Sequence, residues 1–232
     1  MNRIVFLILL CFFAASAPGF ADENPSVIYW NSDAGKTLRA RIPADADYWQ
    51  LIPAFAVQNT QSYCSVASAI TVLNAMPINK PTDPAYAPYA YFTQSNFFTP
   101  EVVKIISPQT VLAQGMTREE MARTLQAHGV KAQSIAGDSL SDEDLRTLLQ
   151  TALGDDGRFV LANYFRANLG QVGGGHWSVL AAFDAKSDRV LILDVAKYKY
   201  LPVWVGISTL RQAIATLDTT SNKPRGLVIV SK

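Results

Sequence analysis

Four apolar runs dominate the second half of the chain: residues 159–164 (FVLANY), 177–183 (WSVLAAF), 190–195 (VLILDV) and 227–230 (LVIV). Their length and apolar character predict buried strands. Residues 184–188 (DAKSD) are polar and lie between the second and third runs, which is a hairpin signal. Residues 208–217 predict a helix between strands.

The first half has another period. Residues 65–75 (SVASAITVLNA) carry small and apolar side chains on every face, so they predict a helix buried in the core, with Pro77 just past its end. Thr117 with Glu120 makes a capping-box pattern ahead of Met121 and Leu125, and Gly129 is its expected stop. His128 lies in the last turn of that helix, where an imidazole with some positive charge meets the helix C-terminus favourably. Ser141 and Asp144 open a further helix with Leu145, Leu148 and Leu149 as its apolar stripe, ending at Gly154. Between the first two helices, residues 77–100 hold five prolines and several aromatics, and predict a long shaped loop. Residues 22–50 are expected to be irregular. Helices first and strands later make an α+β domain with an antiparallel sheet.

The chain has 232 residues, 49% of them hydrophobic and 17% charged. That is enough to bury a sizeable core. Lys+Arg is 20 against 19 for Asp+Glu, so the charge balance gives no support for a nucleic-acid partner. Residues 1–21 are expected to be a secretory signal: Arg3, an apolar run over 4–13, then small residues with Gly19 and Ala21 before a cut ahead of Asp22. The run is short for a membrane span, which needs about 20 residues; an uncleaved anchor is the alternative. The expected location is therefore outside the cytoplasm, in the periplasm, with no membrane attachment after cleavage. The catalytic domain is expected to span 22–232.

Cleavage would leave Cys64 as the one thiol, since Cys11 lies within the signal. A lone cysteine in an oxidising compartment is either reactive or a small buried hydrophobe, and the count alone does not choose. Cys64 stands where the 65–75 helix begins, and a helix N-terminus favours a thiolate and offers a backbone N–H to an oxyanion. Gln58, six residues earlier, is the candidate second oxyanion donor, with Gln61 as its competitor. His176 follows three glycines, 173–175, which let a loop lie close to a substrate. With His128 read as structural, His176 is the candidate base. A hairpin turn centred near Ala185 pairs position 176 with 194 to within a couple of residues, so Asp194 could orient the imidazole. A carboxylate inside an apolar strand also needs a partner. In the order Gln, Cys, His, Asp, these residues resemble the papain-like arrangement: a helix-borne cysteine and a sheet-borne histidine and carboxylate.

Longer stretches sharpen this. Gln61 to Ser68 (QSYCSVAS), residues 163–166 (NYFR), 175–178 (GHWS) and 191–200 (LILDVAKYKY) make the chain resemble the phytochelatin synthases over roughly residues 45–232. The resemblance implies that Cys64 attacks the Cys–Gly amide of glutathione, releases glycine, and holds a γ-Glu-Cys thioester. A second glutathione accepts it, giving metal-binding (γ-Glu-Cys)n-Gly peptides, or water does, giving γ-glutamylcysteine. It further implies a triad of Cys64, His176 and Asp194, with Gln58 in the oxyanion hole. Arg166 and Arg225 are implied to contact substrate carboxylates, and Gly175 and Trp177 to contact substrate. No protein-bound metal and no obligatory cofactor is implied; cadmium or zinc would enter as a thiolate complex of the substrate. Glutathione is the implied partner, with a homodimer as the one further association considered. Ser65 departs from the glycine common at that position in the family. Two other readings stay open from the residues: a papain-like peptidase for other peptides, and a non-catalytic glutathione- or metal-binding protein.

Overall fold

The structure is a computed structural model that describes residues 27–154 and 157–232. In chain order its strands are β1 (Val27–Tyr29), β2 (Lys131–Ala136), β3 (Arg158–Phe165), β4 (Gly175–Asp184), β5 (Arg189–Leu193), β6 (Val203–Gly206), β7 (Leu217–Asp218), β8 (Lys223–Pro224) and β9 (Gly226–Ser231). Its α-helices are α1 (Asp33–Arg39), α2 (Tyr48–Leu51), α3 (Cys64–Ala75), α4 (Pro100–Val103), α5 (Pro108–Gln114), α6 (Arg118–Ala127), α7 (Asp142–Ala152) and α8 (Ile207–Ile214). The expected secretory signal lies outside the described residues. No helix among the described residues is long and apolar enough to cross a membrane.

Seven strands form one antiparallel sheet in the order β1-β6-β5-β4-β3-β9-β2. A core lies on each of its faces, which explains why the strands read as unbroken apolar runs rather than alternating ones. Trp177, Val179, Leu191 and Leu161 face α3 and α6 on one side. Leu180, Ile192, Val160 and Tyr164 face Leu145 and Leu149 of α7 and Leu210 and Ile214 of α8 on the other.

Helix α3 is buried on nearly its whole circumference, as its composition predicts. Burying Val66, Ile70 and Leu73 stabilises it by about 1.5–3 kcal/mol each. The expected capping boxes are both present: Thr117 with Glu120 starts α6, and Ser141 with Asp144 starts α7. His128 caps the C-terminus of α6, but it packs between Phe92 and Phe97 at centroid distances of 5.2 and 4.9 Å. Burial there pushes its pKa down, outweighing a hydrogen bond with the Phe97 backbone, so it favours the neutral ring over the partial charge expected for it.

The structure departs from the sequence reading in three places. Residues 27–50 are not irregular: β1 adds to the edge of β6, and Ser32 caps α1 by accepting the Gly35 N–H at 3.0 Å. Both elements are too short for periodicity to reveal. Strand β2 pairs with β9, yet its sequence KAQSIA is too polar to announce it, because it lies at the sheet edge. The third concerns Asp194. Strand β5 ends at Leu193, one residue earlier, and the hairpin turn lies further along than Ala185, so that Asp184 pairs with Arg189 and Val179 with Leu193, three and then two residues from the expected register.

Candidate active site

Cys64 opens α3, whose N-cap residue, Tyr63, makes no side-chain capping bond. The first-turn N–H groups are therefore left for the cleft rather than for a cap. The thiol is 8% exposed. Burial alone would push its pKa up; the charge and hydrogen bond of His176, with the backbone N–H groups of Trp177 and Ser65, outweigh that and hold it below the usual thiol value.

His176 is the second residue of β4 and stands opposite Tyr164 of β3, whose ring it meets edge-on at 5.7 Å. Its Nε2 lies 2.9 Å from Asp194 Oδ1, so Nδ1 is the nitrogen left to meet Cys64. Burial pushes the imidazole pKa down, but Cys64 and Asp194 together raise it above the usual value. A lowered thiol and a raised imidazole describe a thiolate–imidazolium pair.

Asp194 is fully buried. The turn after β5 satisfies it: Oδ1 accepts the Ala196 N–H at 2.9 Å as well as His176. Burial would raise its pKa, but His176 and Arg166 hold it well below the carboxylate range.

The other expected residues divide. Arg225 lines a cleft of about 220 Å³ with Cys64, Asn163, Trp177 and Asp218. Its Nη1 donates to Asn163 Oδ1 at 2.9 Å, and Asp218 Oδ1 is 3.6 Å from Nη2. Gly175 lies directly against the guanidinium. Trp177 lines the same cleft, but it is 2% exposed and its Nε1–H donates to the Met116 carbonyl at 2.9 Å, so its polar atom is spent within the fold.

Arg166 lines the second cleft, beside Gly173 and Gly174, with its guanidinium already engaged within the fold. It donates through Nη1 to Asp194 Oδ2 at 2.8 Å and through Nη2 to Oδ1 at 3.0 Å, and it is buried. The buried Asp194 carboxylate takes both of its Nη groups.

Gln58 lines a second cleft of about 310 Å³ on the other side of Gly175 and His176, with Gln61, Tyr198 and Lys199. Both its amide hydrogens are committed, to the Thr60 carbonyl and to Tyr198 Oη, each at 2.8 Å. To serve an oxyanion it would have to release one of them.

Reading residues one by one missed Asp218 and Gln94. Asp218 sits on the two-residue strand β7, with no motif around it. Gln94, in the 77–100 loop, donates to Val57 O at 2.7 Å and to Asn59 Oδ1 at 3.0 Å and accepts the Asn59 N–H at 2.9 Å, clamping both neighbours of Gln58.

A thiol at a helix start, an imidazole on the neighbouring antiparallel strand and a buried carboxylate behind it define the cysteine-nucleophile class with papain-like layout. Within that class, residues 23–227 match the family model for phytochelatin synthase, and the chain belongs to that family. It is similar to glutathione gamma-glutamylcysteinyltransferase 3 of Lotus japonicus, at 30% identity over 90% of this chain and 43% of that one. It is likewise 30% identical to glutathione gamma-glutamylcysteinyltransferase 1 of Triticum aestivum, over 90% of this chain and 41% of that one. The glutathione gamma-glutamylcysteinyltransferase of Schizosaccharomyces pombe is 23% identical over 87% of this chain and 48% of its own. The chain thus spans less than half the length of these curated relatives. Among solved structures it is similar to the Pseudomonas avirulence protein AvrPphB, at 12% identity and a TM-score of 0.33 over 78% of this chain and all of that one.

Proposed function

We propose that the chain is a cysteine-dependent glutathione γ-glutamylcysteinyltransferase with peptidase character. The observation that carries this is the pairing, in one cleft, of the Cys64 thiol with the Arg225 guanidinium and Asp218 carboxylate. A γ-linked glutamyl group keeps a free α-carboxylate and a free α-amino group. Arg225 suits the first and Asp218 the second, while an ordinary internal peptide residue offers neither. That favours glutathione over the alternative of general peptides.

In this reading Cys64 Sγ attacks the carbonyl carbon of the Cys–Gly amide, and the Cys64 N–H supports the oxyanion. His176 then gives its proton to the glycine nitrogen, the C–N bond breaks, and glycine leaves a γ-Glu-Cys thioester. Asp194 keeps the imidazole oriented through both steps. Water or the amine of a second glutathione enters, His176 takes its proton, and the thioester bond breaks. The second cleft, with Lys199 and Tyr198 beside His176, supports entry of that acceptor. Among the described residues no three His, Cys, Asp or Glu side chains gather closely enough to hold a metal ion; cadmium or zinc is read as arriving on the substrate thiol. Residues 1–21 support export.

Incubation with glutathione should release free glycine and γ-glutamylcysteine, with longer γ-Glu-Cys peptides where transfer competes with hydrolysis. If Cys64→Ala releases as much glycine as the wild type, or if unrelated peptides are cleaved as readily as glutathione, the reading fails.

A further inference from the structure

Arg166 is tied into three parts of the site at once. Its guanidinium meets both oxygens of Asp194 and donates to Gln171 Oε1 at 2.5 Å. Its backbone N–H donates to the Gly174 carbonyl at 3.1 Å, and its own carbonyl accepts the Gln171 N–H at 3.1 Å. It therefore braces the glycine loop leading into His176. Its cation faces the Tyr200 ring at 4.9 Å and the Tyr164 ring at 5.9 Å. It is 3% exposed.

A carboxylate held only by one imidazole and one N–H is free to turn about its Cβ–Cγ bond. A bidentate guanidinium fixes its plane, and here that aims Oδ1 at His176 Nε2. The same contact brings a positive charge behind Asp194. The imidazolium then faces a neutral Asp–Arg pair rather than a bare carboxylate, and the thiolate gains a second cation nearby. Around the pair stand the titratable or charged groups of Cys64 from α3, Tyr164 from β3, His176 from β4, Lys199 and Tyr200 from the turn after β5, and Arg225 ahead of β9.

We propose that Arg166 is a positioning residue that holds Asp194, and through it His176, in the reactive geometry. This rests on the acyl-transfer reading above. Tyr200, in the turn after β5, is the platform on which the guanidinium lies.

The full chain with Arg166→Met and with Arg166→Lys tests it by two readouts. One is steady-state turnover of glutathione. The other is the pH dependence of Cys64 alkylation by iodoacetamide without substrate, read on the Cys64 peptide by mass spectrometry. Arg166→Met should lower kcat about 100-fold, as a misplaced catalytic group does, with KM within about threefold. Its alkylation midpoint should move up by about one pH unit as the thiolate loses a cation. Arg166→Lys keeps the charge but not the fork; it should keep the alkylation midpoint and still lose kcat, by about tenfold. A KM raised tenfold or more in either variant, with the alkylation midpoint unmoved, would overturn the proposal in favour of substrate binding. Wild-type kcat in both variants would overturn it outright. If Arg166→Met does not fold, Arg166→Lys decides by the same split. A wild type that does not turn over glutathione would defeat the acyl-transfer reading, yet the alkylation midpoints would still judge Arg166.

Discussion

Gly175 and Arg225 share one volume: a Cβ on Gly175 would lie 2.2 Å from Arg225 Nη1 and 2.5 Å from its Cζ. Gly175 cannot yield, because it pairs with Phe165 in the β3–β4 ladder. Arg225 is 6% exposed and is anchored to Asn163. The glycine is therefore a steric requirement of the guanidinium beside Cys64, over and above any freedom it lends the turn. Gly175→Ala should evict Arg225. Charged hydrogen bonds contribute about 1.5–3 kcal/mol each, so kcat/KM for glutathione should fall about 10- to 100-fold, and Gly175→Ala with Arg225→Met together should be little worse than Arg225→Met alone. Steady-state kinetics on the three variants checks this; additive losses would contradict it.

Cys64 and His176 set the pH profile. The thiol lies below its usual value of about 8.5 and the imidazole above about 6.5. The reactive thiolate–imidazolium form is gained as pH rises through the lowered thiol pKa and lost as it rises through the raised imidazole pKa. kcat/KM should therefore be bell-shaped, and alkylation of Cys64 should proceed well below pH 8.5. His176→Ala removes the cation, so its alkylation midpoint should move upward by a unit or more. An unchanged midpoint would show that the imidazole does not activate the thiol.

Asp194 and Arg166 are a buried pair, at 0% and 4% side-chain exposure. Asp194→Asn should leave the guanidinium uncompensated and cost about 3–5 kcal/mol of stability, measured by chemical denaturation. Adding Arg166→Met should restore part of the loss. Because the Asp194 pKa is depressed, its stabilisation is present above its unfolded value, about pH 4, and disappears as pH falls further.

His128 acts in a milder range. Its pKa is lowered by burial between Phe92 and Phe97, so the native state favours the neutral ring while the unfolded chain gains a proton below about pH 6.5. Its contribution is whole above that pH and erodes as pH drops through it. Melting temperature should fall between pH 7.5 and 5.5, and His128→Leu should flatten that slope. An equally steep slope in the variant would assign the loss elsewhere.

The strands and α3 were legible because both are buried on all sides, which leaves long apolar runs with clear ends. Cys64, His176 and Asp194 were legible as a group because a helix start and a hairpin constrain them locally, although the hairpin turn lies further along than Ala185 and so shifts the register on which the His–Asp pairing was argued. What stayed hidden depends on side chains meeting across the fold. Arg166 and Asp194 are 28 residues apart, and no local pattern says that an arginine after β3 turns inward to a carboxylate after β5. Asp218 reaches the cleft from a two-residue strand, and β2 hides because an edge strand keeps polar residues.

The proposed reaction turns on a covalent γ-Glu-Cys thioester on Cys64. The most direct measurement is acid quenching of the protein within its first turnover of glutathione, followed by mass analysis of the Cys64 peptide and quantification of free glycine. A γ-glutamylcysteinyl adduct on Cys64 is expected, formed together with an equimolar burst of glycine and absent from Cys64→Ala. Glycine release with no adduct on Cys64, or release that persists in Cys64→Ala, would contradict it.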